Sequence, residues 1–129
     1  MAEGSGMPPI LRLRRSAQSG NKAMTAVWQV LYTENCTQVY IFAGAIIDLN
    51  NMAAGDTVDI RRRKIVIPTG AWVMVDQMAY VNAQPVIHPT CQISGIPDVS
   101  GVEISIRQTA GVLRTFATEF YDAKRLGLL

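Results

Sequence analysis

Residues 48 to 64 run DLNNMAAGDTVDIRRRK: an apolar strand closing on Asp48 and Leu49, a Gly-Asp turn, then a strand that begins on alternation and ends on four cations. Val58 and Ile60 share one parity and Thr57, Asp59 and Arg61 the other, the period-two pattern of a half-buried strand. Leu49 and Met52 are placed to seat this corner, and Gly55 and Asp56 to turn it. Arg62 falls on the inward parity. Either the strand has left the core by then, or Arg62 reaches a partner at the edge.

Working outward, the same strand signal repeats in both directions. Upstream, Gln38 to Leu49 is apolar on both faces, as in a central strand, with Gly44 marking a bulge or a close backbone approach. Thr25 to Thr33 makes a strand before it. Downstream, Ala71 to Val81 forms a long strand with Trp72, Met74, Met78 and Tyr80 on one face, and Asp76 interrupts that face and needs a partner. Pro85, Pro89 and Pro97 punctuate the next segment, leaving room for short strands at Pro85 to His88 and Cys91 to Ser94. Val102 to Gln108 alternates most cleanly, with Val102, Ile104 and Ile106 inward. Thr109 to Gly111 then close a hairpin onto Val112 to Tyr121, where Phe116 and Phe120 share a face. Asp122 to Leu129 form one helical turn or trail off.

About seven or eight strands with frequent turns and no helical periodicity define an all-β protein, an antiparallel β-sandwich of jelly-roll or immunoglobulin-like topology. Residues 1–24 differ in character, being rich in Gly, Ser, Pro and Arg with one apolar island, Pro8 to Leu13. They are expected to form an extended N-terminal arm, flexible alone or ordered against a partner, with the sandwich domain over 25–129; a frayed tail is the blander alternative.

The 129 residues make one domain. Apolar residues account for 49% and charged ones for 17%, a charge density low enough to suggest surface hidden against other chains. A net charge of +2 gives no reason to expect nucleic-acid binding by the whole surface. No run is long and apolar enough to span a bilayer, and no secretory signal is evident, so no membrane partner and synthesis in the host cytoplasm are expected. The two cysteines, Cys36 and Cys91, allow one disulfide, with two buried thiols as the simpler expectation.

Three pieces, IDLNNMAAGDTVDIR, AYVNAQPVIHP and GVEISIRQTAGVLRTF, occur in order between residues 46 and 116. Together they resemble a set of small β proteins of tailed archaeal viruses and related environmental viruses. That set shares a DL-x-N-M-x-x-GDTVEIR turn and strand, an AQ-PV segment and a final QTAG hairpin. The resemblance implies a virion building block such as a capsid decoration, turret or minor capsid protein. The run Arg61 to Lys64 departs from the pattern, which has apolar and aromatic residues between its charges, and the arm lies outside it.

Catalytic chemistry finds little support. His88 stands between Ile87 and Pro89 with no acid or cysteine at ligand spacing, which suits a hydrogen-bonded structural histidine. Acids that can approach in space, Asp56 with Asp59 and Glu103 with Glu119, are expected to be solvated or paired with arginine rather than to form a glycosidase dyad. The chain is therefore expected to be no enzyme and to hold no cofactor or metal.

The expected function is structural: self-association as a homo-oligomer and docking with other virion proteins. Pro8, Pro9, Ile10, Leu11, Arg12, Leu13, Arg14 and Arg15 in the arm, and Arg61, Arg62, Arg63 and Lys64 in the basic strand, are the expected subunit contacts. Nucleic acid is the less favoured partner for the same cations, because alternation sends at most two to either face and no aromatic residue is interleaved with them. The alternatives are the main shell subunit of a particle or filament, and a receptor- or glycan-binding module with Trp72, Tyr80 or Tyr121 as its aromatic platform.

Overall fold

The computed structural model describes residues 10–34, 40–67, 70–87, 89–98 and 101–126. They form an antiparallel β-sandwich of nine strands: β1 (Ile10–Arg15), β2 (Gly20–Ala23), β3 (Gln29–Glu34), β4 (Tyr40–Asp48), β5 (Thr57–Ile65), β6 (Trp72–Val81), β7 (Thr90–Asp98), β8 (Val102–Ala110) and β9 (Thr115–Leu126). One sheet has the order β1-β9-β4-β7, with β2 also on β9, and the other the order β3-β8-β5-β6. The ladders join β1 and β2 to β9, β3 to β8, β4 to β7 and β5 to β6. The chain is thus a long antiparallel ribbon with the β5–β6 hairpin at its tip. The β4–β9 and β5–β8 ladders fold this ribbon over into two sheets.

The inward parities found in the sequence build the core. Val58, Ile60, Val102, Ile104, Ile106, Phe116 and Phe120 are fully buried, as are Tyr32, Phe42, Ile47 and Leu49. Tyr32 packs its ring 5.1 Å from Phe42 and 5.2 Å from Phe120, joining the two sheets through aromatic contact. Gly44 does mark a bulge, with the register slipping between Phe42 and Gly44, and a Cβ at Gly44 would lie 3.1 Å from the Ile93 carbonyl oxygen.

Within the stretch expected to form an arm, Ile10–Arg15 and Gly20–Ala23 are the strands β1 and β2, both paired with β9. Between the two, Ser16 to Ser19 interrupt the strand, and the Ser19 hydroxyl accepts the Phe120 N–H at 2.9 Å in place of the missing ladder bond. Residues 109–111 close no hairpin, because β8 and β9 belong to different sheets. Pro85 to Ile87 form a turn, β9 continues as strand to Leu126, and Pro8, Pro9, Cys36 and His88 lie outside the described residues. Cys91 is buried as a free thiol whose pKa burial pushes up.

Asp56 locks the corner around which the fold turns. Its buried carboxylate accepts the Ala53 N–H at 2.9 Å and the Arg114 Nε–H at 2.8 Å. Its own carbonyl accepts the Asn82 N–H at 2.8 Å, while Asn82 Oδ1 accepts the Gly55 N–H at 2.8 Å. Gly55 takes φ +90°, open to glycine at little cost, and a Cβ at Gly111 would collide with the Asp56 carboxylate.

The Arg114 guanidinium first, then the Ala53 N–H, hold the Asp56 carboxyl below its ordinary value of 3.8. A depressed folded pKa contributes stability that is present above the unfolded pKa and lost as pH falls through the folded one. Asp56→Asn is therefore expected to lower the urea midpoint at pH 7, with the gap to wild type narrowing on acidification to about pH 2.5. A gap of equal size at both pH values would show that the charge of Asp56 does not hold the corner.

Candidate functional site

The basic strand β5 lies between β6 and β8, and its four cations divide as alternation requires. Arg62 turns inward, where it is 8% exposed. Its Nη1 donates to the Ser94 carbonyl and its Nη2 to Asp76 Oδ2, both at 2.8 Å. The partner that Asp76 needed and the fate of inward Arg62 are one interaction. Arg62 Nε and Asp76 Oδ1 stay buried without a hydrogen bond, so the pair is incompletely satisfied. Lys64 stands opposite Val73 and Val102 at the end of the ladder.

Arg61 and Arg63 turn to the outer face of the second sheet. Arg63 Nε donates to Glu103 Oε1 at 2.8 Å, and on the neighbouring pair Arg107 Nε donates to Asp59 Oδ2 at 3.0 Å. Glu103, Asp59 and Ser105 are buried although they point away from the core, because these arginines and two indoles lie over them. The Arg61 and Arg107 guanidinium carbons sit 4.3 and 4.4 Å from the centre of the Trp28 ring, and that of Arg63 sits 5.8 Å from Trp72. Burial holds the Arg61 pKa below the usual arginine value, with Arg63 and Arg107 pushing the same way against Glu103.

Sequence reasoning missed Trp28 and named Trp72 only as a candidate for an aromatic platform. Trp28 is 33 residues upstream of Arg61 and reaches it because β3 is joined to β5 through β8. Trp72 arrives through a bulge: the register slips between Arg62 and Arg63, leaving Val75 as the extra residue, so Met74 stands opposite Arg63 and Trp72 opposite Ile65. The expected single face of Trp72, Met74, Met78 and Tyr80 is therefore split, since one extra residue reverses every side chain beyond it. Met78 and Tyr80 pack against the core, which removes Tyr80 from any surface platform.

The other expected site residues lie elsewhere. Ile10 to Arg15 form β1 on β9, and Arg15 Nε donates to Glu119 Oε2 at 3.2 Å. Tyr121 donates its hydroxyl to Glu119 Oε1 at 2.9 Å and walls a shallow depression of about 450 Å³ over Gly44 and Ile93 on the first sheet. The four acids that might have paired with each other, Asp56, Asp59, Glu103 and Glu119, are each bound by an arginine. Among the described residues no three His, Cys, Asp or Glu gather in a metal-binding group.

No family model matches the chain, and no curated protein matches it. Solved structures share its fold. One is described as a Bacillus endospore appendage of a family of disulfide-linked pili, 12% identical over 94% of this chain and 93% of that one, with a TM-score of 0.61. The VP2 subviral particle of infectious bursal disease virus is 13% identical over 89% of this chain, with a TM-score of 0.51. A second structure of that virus, of the Gx strain, is 12% identical over 89% of this chain with the same score. The chain spans 32% of the length of the VP2 chains. At these identities the likeness is one of fold, shared with a pilus protein and a viral capsid protein.

The split between inward and outward cations has a measurable consequence. Arg62→Ala removes a buried side chain together with its charged hydrogen bonds to the Ser94 carbonyl and Asp76, and is expected to cost about 2 kcal/mol or more. Arg61→Ala removes only a partly exposed cation–π contact, about 0.5–1 kcal/mol. Urea denaturation of the two variants checks the order, and equal losses would mean that Arg62 contributes no more than surface packing.

Proposed function

We propose that this chain is a non-enzymatic structural subunit that assembles with copies of itself, and we read its rolled ribbon as the jelly-roll alternative. The observation that carries this reading is the open edge at β6. Natural edge strands are blunted by lysine, proline, shortness or cover. β6 is ten residues long, contains neither lysine nor proline, and has one charge, Asp76, which Arg62 engages. Its bulge at Val75 blunts only one point. Along it Val73, Met74, Val75 and Val81 are exposed at 50, 46, 44 and 55%.

Two other edges are better guarded, since β3 is short and bulged, and β7 carries Pro97. In this reading Arg61, Arg63 and Lys64 flank the contact, while Arg62 serves the fold. The role given to Pro8 to Arg15 belongs to the same proposal: an edge strand held by a single ladder can be exchanged for that of a neighbour.

The sequence resemblance and the capsid fold support a virion component, a decoration, turret or minor capsid protein. A second reading, the subunit of a filament, is supported by the correspondence with the pilus protein, which runs almost the full length of both chains. Either role places the protein in a particle or an appendage.

Purified wild-type chain is expected to associate through β6, as seen by light scattering and by electron microscopy. The double variant Val75→Lys, Val81→Lys is expected to stay folded and monomeric, because both side chains already face water. Filaments or closed shells from the chain alone favour a main subunit, and small oligomers favour a decoration protein. A wild-type chain that remains monomeric up to roughly 100 μM, a concentration at which contacts worth about 6 kcal/mol would be seen, refutes assembly through β6.

A further inference from the structure

Three cross-strand positions follow one another on the outer face of β5 and β8: Asp59 opposite Arg107, Arg61 opposite Ser105, and Arg63 opposite Glu103. The first and third are ion pairs. At the middle position, where the ladder would place an acid, there is a serine, and its hydroxyl donates to Glu103 Oε1 at 3.0 Å. Arg61 is therefore a cation set between two cations, and among the described residues no ion pair or side-chain hydrogen bond engages its guanidinium. Its Nε–H is shut off from solvent without an acceptor. The contact with Trp28 offsets part of this deficit but supplies no hydrogen-bond acceptor.

We propose that Arg61 is the charge-reading residue of a binding site for a sugar bearing one carboxylate, seated against Trp28 on the outer face of the second sheet. A guanidinium with free terminal nitrogens matches a carboxylate through two parallel hydrogen bonds. Trp28 is half-buried, so part of its indole stays at the surface beside the cation and offers an apolar plane to a pyranose ring.

The carboxylates of Asp59 and Glu103 argue against a polyanion. They stand two residues from Arg61 along each strand, about 7 Å away, and neutralise the flanking arginines. The phosphates next to one held at Arg61 would meet these carboxylates rather than free cations. An acidic side chain from another protein would satisfy the charge but leave the indole without a ring to pack on. One unmatched cation beside an indole fits one charge on one ring.

Both tryptophans of the chain lie at this site, so intrinsic fluorescence reports directly on it. Titration with methyl glucuronide is expected to give a saturable change, with methyl glucoside weaker by about 10-fold or more for loss of the charged hydrogen bonds. Arg61→Gln is expected to abolish the glucuronide response while lowering the melting temperature by only a few degrees, and Arg61→Lys to keep part of the response. Equal responses to the two sugars, no saturable response to glucuronide, or an unchanged response in Arg61→Gln would overturn the proposal. So would an Arg61-dependent response to a thymidine oligonucleotide, or an Arg61-dependent change in oligomer size, without any response to glucuronide. Assembly through β6 is read by light scattering, so a failure of either reading leaves the other standing.

Discussion

A single buried residue, Asp56, fastens three connections at one end of the sandwich, two of them through its carboxylate and one through its backbone carbonyl. The link from β4 to β5 supplies Asp56 itself and the Ala53 N–H, the link after β6 supplies Asn82, and the link from β8 to β9 supplies Arg114. Gln108 completes the last of these, donating to the carbonyls of Ala110 and Val112 at 3.0 and 2.7 Å and accepting the Arg114 N–H at 3.0 Å. Each of the three sequence pieces quoted for the resemblance contributes to this one corner, through Gly55 and Asp56, through Asn82, and through Gln108. Their shared occurrence speaks to how the ribbon closes. It says nothing about what the outer faces touch.

What the sequence could disclose follows from what alternation encodes. Period two tells which side of a strand faces the core, so the burial of Val58, Ile60, Val102, Ile104 and Ile106 was legible. It is silent on which strand lies alongside. Strands β8 and β9 looked like a hairpin because a Gly-containing turn separates them, yet each pairs with strands distant in the chain. Composition does not announce a backbone ladder, so β1 and β2 were not legible as strands within a stretch rich in Gly, Ser, Pro and Arg. The Val75 bulge had no sequence signal at all, and it alone moved Trp72 and Met74 to the other face.

The arginines show the same limit at the level of the site. Four consecutive cations suggest one basic patch, but the pleat sends Arg62 to Asp76 and leaves Arg61 and Arg63 outside. The aromatic residues whose absence from the run weakened a recognition role are supplied by other strands. Only the strand order β3-β8-β5-β6 brings Trp28 to Arg61 and Arg107. A fold-dependent juxtaposition of this kind has no periodicity to reveal it.

The low charge density first suggested surface hidden by other chains, and the structure relocates that argument. Much of the outer face of the second sheet is covered by the chain itself, where Arg63, Arg107 and Trp28 lie over Glu103, Ser105 and Asp59. A face already covered by its own ion pairs gains little from a second sheet laid on it, because desolvating those pairs again costs what new contacts would return. The edge at β6 has no such cover, and its unpaired backbone groups and exposed valines gain on both counts when another strand adds. Association of this sandwich is therefore governed by its edges, while the covered face, with one unmatched guanidinium, is suited to a small ligand rather than to a neighbouring subunit.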